Sequence, residues 1–261
     1  MTIDSYLANL ANNMVMRGNE KDSIALSFFT LKARLKDYFG SEVIDVIKFG
    51  SYTRETILPR KFDEKSDVDV MVIFKNEYNF KPQSFLVKLK KFAVTKYSTS
   101  QIYQSSPTIV LELNHIKFEL VPANKLYSWS NDHYNIPENS STWMLTQPKA
   151  FDDTLIDCNK KNSFKIKPIV RLLKHWNIKK NFRDLPSFEL EKKISDNMQY
   201  AYFSCSSYSD YVKKGLEIIR IYDKDYRFDT AIDKINEALK LEAEGYPYFA
   251  ESKIKEVFPG N

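Results

Sequence analysis

The sequence predicts an α+β fold, with a sheet in the first half of the chain packed on a C-terminal helical lobe. Three observations carry this. Between residues 42 and 123, short runs rich in Val, Ile and Phe recur between turn residues, the mark of strands. Apolar residues at three-and-four spacing open the chain and return once inside that strand region. From about residue 148 onward only the helical spacing is found. The chain has 261 residues, 43% of them hydrophobic and 14% aromatic, with only 6 Gly and 10 Pro, so it encodes a folded protein large enough for one big domain or two lobes.

Taken in order, "IDSYLANLANNM" predicts a short helix and "SIALSFFTLKARLKDYF" (23–39) a long amphipathic one. After Gly40 come the strands "EVIDVIKFG", "DVDVMVIF", "SPTIVLEL" and "HIKFELVPA". Between the second and third, "QSFLVKLKKFAVTKY" (83–97) predicts a helix that buries Phe85, Leu89, Phe92 and Val94 beneath a lysine-covered outer face. Residues 124–147, with Asn, Asp, Ser and Pro, read as a connection. Beyond it, "QPKAFDDTLIDCNKK", "FKIKPIVRLLKHWNIKK", "SFELEKKISDN", "SYSDYVKKGLEIIRIY" and "FDTAIDKINEALKLEAEG" predict helices. No repeat and no Gly/Ser linker intervenes, so the expected organisation is two lobes, 1–147 and 148–261, closing on a cleft.

Lys and Arg total 39 against 34 Asp and Glu, a net charge of +5 that suits an anionic substrate without marking a nucleic-acid groove. The two cysteines, Cys158 and Cys205, form no metal or disulfide motif. Asp4 stands where a secretory leader would carry Lys or Arg, and no apolar run is long enough to span a bilayer. A cytoplasmic protein with no membrane association is expected.

The chemistry concentrates in "FGSYTRETILPRKFDEKSDVDVMVIF" (49–74). On a strand, Asp67 and Asp69 share one face, about 6–7 Å apart, while Val68, Val70 and Val72 enter the other layer. Carboxylates this close repel unless a cation joins them, and a pair of hard divalent ions resolves the conflict. Gly50-Ser51 follows a strand and is expected to begin a helix, whose free N–H groups and positive end would seat a phosphate. For a third acid, "LELNHIKFELVPA" reads as a hairpin turning at Asn114 and His115. Glu112 then faces Lys117, and Val110 faces Glu119. Because Glu112 has an ion-pair partner across the hairpin and Glu119 has none, Glu119 is the favoured ligand. None of His115, His133 and His175 is needed as a base, and His175 is expected on a helix surface.

These segments, with "FELVPA", resemble the polymerase-beta-like nucleotidyltransferase core, and in particular the bacterial enzymes related to cyclic GMP-AMP synthase and oligoadenylate synthase. The segments "IPENSSTWMLTQP", "PIVRLLKHWN", "PSFELE" and "AESKIKEVFPG" continue the likeness over nearly the whole chain. The resemblance implies a mixed sheet, a triphosphate held by Gly50 and Ser51, and two Mg²⁺ ions (Mn²⁺ as substitute) on Asp67, Asp69 and Glu119. It also implies phosphate contacts from Lys174 and Ser187 and a base stacked on Phe188. Helical periodicity alone, with Ile169, Leu172, Leu173 and Trp176 as the buried stripe, would leave Lys174 solvated. Ser187 could merely start a helix, and Phe188 could be core. One departure is Glu119, where the family usually has aspartate. The implied reaction is attack by a hydroxyl on the alpha-phosphorus of a nucleoside triphosphate, releasing pyrophosphate. It would yield a cyclic or short linear oligonucleotide that signals phage infection to an effector protein encoded nearby. Addition of nucleotides to an RNA end or a protein hydroxyl, and a non-catalytic nucleotide sensor, are the alternatives. No zinc insertion or basic arm is present, so activation by double-stranded nucleic acid is not expected.

Overall fold

The computed structural model describes every residue except 77, 106, 127–132, 223–224 and 261. The chain packs as two compact units, one of Met16–Arg54 and Lys65–Ala150, the other of Met1–Val15, Glu55–Glu64 and Phe151–Asn261. A single cut at 147/148 therefore does not describe the packing. The first helix and residues 55–64 bury their apolar side chains with the later helices, and the chain crosses between units more than once.

In the first unit, α2 (Gly18–Phe39) precedes β1 (Val43–Phe49) and β2 (Asp67–Phe74). Then follow α3 (Pro82–Lys96), β3 (Gln101–Ser105), β4 (Thr108–Glu112), β5 (Lys117–Lys125), β6 (Tyr134–Pro137) and β7 (Trp143–Thr146). Among the described residues the strands form one sheet, ordered β1-β2-β5-β4-β3, with β6 joining β5 to β7. Only β2 and β5 run parallel, so the sheet is mixed, as the family resemblance implies. The face bearing Val68, Val70, Val72 and Phe74 is wholly buried. Phe74 meets Phe39 of α2 edge-on at 5.2 Å and Phe85 of α3 at 5.0 Å, so that both helices cover this face. On the opposite face, Met71, Ile73 and Ala123 form a small apolar cluster beside Asp67 and Asp69.

Two expectations fail here. Val94 is 52% exposed, because it lies two residues beyond buried Phe92 and so about 200° around the helix from it. Residues 124–147 are more than a connection, since they hold β6 and β7, whose four-residue lengths are too short to show a period. The edge strand β3 carries no strand signal either, its residues being exposed or half-exposed and largely polar.

The second unit is helical: α1 (Ile3–Asn13), α4 (Pro148–Lys161, from Phe151 onward), α5 (Ile166–Lys180), α6 (Ser187–Asn197), α7 (Tyr208–Tyr222), α8 (Tyr226–Ala243) and α9 (Pro247–Val257). Helix α5 is its axis. Ile169, Leu172, Leu173 and Trp176 are buried as the spacing predicts, but so are Arg171, Lys174, His175 and Asn177, because neighbours cover α5 nearly all round. Gly215 lets α7 come close, since a Cβ there would fall 2.6 Å from Leu173 Cδ1. The Asp4 carboxylate accepts hydrogen bonds from the Tyr208 and Ser209 amides at 2.9 and 3.0 Å, capping α7 from a distant part of the chain.

Candidate active site

Strand β1 ends at Phe49, and Gly50 turns the chain with φ +75°. A Cβ at this position would lie 2.0 Å from Asp69 Oδ2, so the backbone approaches the carboxylate as only glycine permits. The Thr53 hydroxyl and the Arg54 amide both donate to the Gly50 carbonyl, at 2.9 and 3.3 Å. They close one turn. No helix grows from Gly50-Ser51, contrary to expectation: residues 50–55 are turns and residues 56–59 have no regular structure. Any phosphate seat here relies on the turn's amides, without a helix dipole behind them.

The parallel register pairs Asp67 with Lys117 and Asp69 with Glu119. All four side chains therefore stand on one face, where the sequence placed the acids. The hairpin register also forms as read, with Glu112 opposite Lys117 and Val110 opposite Glu119. Lys117 takes other partners, however: its ammonium lies 3.1 Å from Asp67 Oδ2 and 3.2 Å from Glu119 Oε1. Glu119 thus has a cation within its own strand, which corrects the reading that it had none. The Thr108 hydroxyl reaches Glu119 Oε2 at 3.4 Å. Burial, and then the charge of Glu119, push the Asp67 carboxyl up to about 6 against the opposing pull of Lys117. Burial works to lower the Lys117 pKa, but Asp67 and Glu119 outweigh it and hold the ammonium form. Lys117 was the signal missed, and it was legible: two residues before Glu119 on a strand, it had to share that face.

The remaining candidates belong to the helical unit. Lys174 is 5% exposed, pairs with the buried Glu191 carboxylate and donates to the Thr56 carbonyl at 3.2 Å, so it is not the solvated lysine its position on the helix suggested. Arg171 holds the Glu55 carbonyl at 2.9 Å, so α5 grips residues 55–56 from two places. Ser187 is the first residue of α6, directly after the N-cap Pro186, which has no side-chain group to cap the helix. Phe188 is 52% exposed rather than core, its ring edge-on to Phe151 at 5.0 Å. His175 is fully buried, not on a helix surface, with its ring 2.8 Å from the Pro259 carbonyl and edge-on to Phe62.

Among the described residues no three His, Cys, Asp or Glu side chains converge tightly enough to enclose an ion. The donor chemistry nevertheless suits a hard divalent cation. Three carboxylates share one face of adjacent strands, the glycine turn lies against one of them, and Lys117 already places a positive charge between the other two.

A family model described as the Second Messenger Oligonucleotide or Dinucleotide Synthetase domain (SMODS) matches residues 1–159. A cyclic AMP-AMP-AMP synthase of Acinetobacter sp. is 26% identical over 210 residues, 77% of this chain and 60% of that protein. The chain spans about 60% of the length of the curated relatives it matches. Among solved structures, the CdnC:HORMA-deltaN complex of E. coli MS115-1 aligns with a TM-score of 0.72 at 14% identity, covering 98% of each chain. The CD-NTase CdnG of Bradyrhizobium diazoefficiens, in complex with GTP, also gives 0.72, at 12% identity over 97% of this chain and 98% of that one. These likenesses establish the fold.

Proposed function

Since the chain belongs to the SMODS family of second messenger oligonucleotide or dinucleotide synthetase domains, we propose that it is a template-independent nucleotidyltransferase that joins nucleoside triphosphates into a cyclic or short linear oligonucleotide. The observation that carries this is the shared face of Asp67, Asp69 and Glu119, with the Gly50 turn against Asp69. Those acids would hold divalent ions, Mg²⁺ first and Mn²⁺ as substitute, which supply charge stabilisation at the transferring phosphoryl group and ease deprotonation of the acceptor hydroxyl. Gly50 and Ser51 would take the triphosphate through the amides of their turn, the bare Gly50 Cα making room for the Asp69 carboxylate. Phe188 offers an exposed ring for a base, and Ser187 a hydroxyl in the first turn of α6. Lys174 would have to exchange the Glu191 carboxylate for a phosphate. A signalling role in defence against phage, through an effector protein that reads the product, follows from the same reading, as does cytoplasmic residence. No helix of the described residues is long and apolar enough to cross a membrane.

The test is incubation of the whole chain with all ribo- and deoxyribonucleoside triphosphates and Mg²⁺, read by mass spectrometry. Free short oligonucleotides and pyrophosphate are expected, and none from the Asp69→Asn variant. Label appearing instead on RNA or protein would shift the reading to a macromolecular acceptor. Nucleotide binding with no pyrophosphate released would overturn it.

A further inference from the structure

Resting on the reading of Asp67, Asp69 and Glu119 as ion ligands, we propose that Lys117 is the built-in counter-ion of this site, which a divalent cation must displace in order to bind. Lys117 reaches Asp67 and Glu119 together, at 3.1 and 3.2 Å, from the start of β5. Its side chain is only 16% exposed, so it is enclosed with the acids rather than passing over them in solvent. The position is fixed by the backbone: the parallel register sets Lys117 directly beside Asp67 and two residues before Glu119. A lysine there cannot avoid that face without reversing the strand.

Two consequences follow from charge alone. The ammonium neutralises one of three neighbouring negative charges, so an arriving divalent ion meets a weaker field than three bare carboxylates would present. The ion must also take oxygens that Lys117 now engages, and the lysine has to swing out of the gap. Its flexible four-carbon stem permits this without moving the strand. Once displaced, the ammonium is still tethered beside the site, where an anionic substrate can receive it. Lys117 thus positions the acids in the ion-free protein and raises the concentration at which ions load.

The experiment measures Mn²⁺ binding to the whole chain without nucleotide, by the loss of the free-ion signal in electron paramagnetic resonance. The proteins compared are wild type, Lys117→Met, Lys117→Arg and Asp69→Asn. Lys117→Met is expected to bind Mn²⁺ roughly tenfold more tightly than wild type, because competition and charge compensation vanish together. Lys117→Arg keeps the positive charge and should stay near wild type. In chelator, Lys117→Met should melt at a lower temperature than wild type, and Mn²⁺ should raise its melting temperature by more. A merely structural lysine would lower melting without tightening the ion. If Asp69→Asn loses Mn²⁺ binding while Lys117→Met gains none, the proposal falls and the site reading survives. If Asp69→Asn binds Mn²⁺ as wild type does, the site reading fails and takes this proposal with it.

Discussion

At the scale of single residues, the site depends on one missing atom and one shifted proton. Gly50→Ala would place a methyl 2.0 Å from Asp69 Oδ2 in a backbone conformation, φ +75°, that alanine resists. The turn and the carboxylate cannot both stay. Product formation should fall on the order of 100-fold, the cost of misplacing a reacting group by about an ångström, and pyrophosphate release reads it. Asp67, held protonated up to about 6, gives a second expectation. A raised folded-state pKa stabilises the ion-free protein most at pH below the ordinary aspartate range, and that contribution fades as pH rises through about 6. An ion competes with the same proton. Mn²⁺ affinity should therefore climb as pH rises through about 6 and level off beyond it, which calorimetry at several pH values can follow. Of these residues, Asp67, Asp69 and Glu119 were legible because strand alternation fixes their face, and Gly50 because it follows a strand. The Lys117 contact was derivable by the same rule but was read only across the hairpin, where Glu112 offered a simpler partner.

At the scale of elements, α5 and α6 are joined by a buried ion pair. Removing one partner leaves the other charge without compensation in a dry interior, so Lys174→Met should cost about 3–5 kcal/mol in chemical denaturation. Lys174→Met with Glu191→Leu should recover most of it, since an apolar pair fills the same space. Tight helix packing sets a second test. Gly215→Ala, though favourable to helix propensity, must push against Leu173 at 2.6 Å and should lower the melting temperature rather than raise it. The elements themselves were readable wherever the apolar period ran for two turns or more, as in α2, α3, α5, α7 and α8. Strands β3, β6 and β7 escaped because five or fewer half-exposed residues carry no period. The burial of Lys174 and His175 escaped for a different reason: periodicity identifies a helix's strongest apolar face but not how many neighbours will surround it.

At the scale of the molecule, a net charge of +5 gives no reason to expect a nucleic-acid activator. Its 39 basic residues face 34 acidic ones, and many pair locally, Lys117, Lys174, Arg183 and Arg227 among them. Adding duplex DNA or RNA should leave product yield unchanged, and duplex affinity should be weak at physiological salt, as a filter-binding titration against salt concentration would show. The division of the chain was not legible, because the packing partners of residues 55–64 lie more than a hundred positions downstream. The detour those residues make between the glycine turn and the acidic strand also sets an order of events during synthesis. When β2 leaves the ribosome, α5, on which the preceding stretch must settle, has yet to be translated. A nascent chain can pair its early strands, yet Arg171 and Lys174 fasten the loop that links turn to acids only near the end of translation. A chain stopped before α5 would therefore carry Asp67, Asp69 and Glu119 but lack the partners that hold residues 55 and 56.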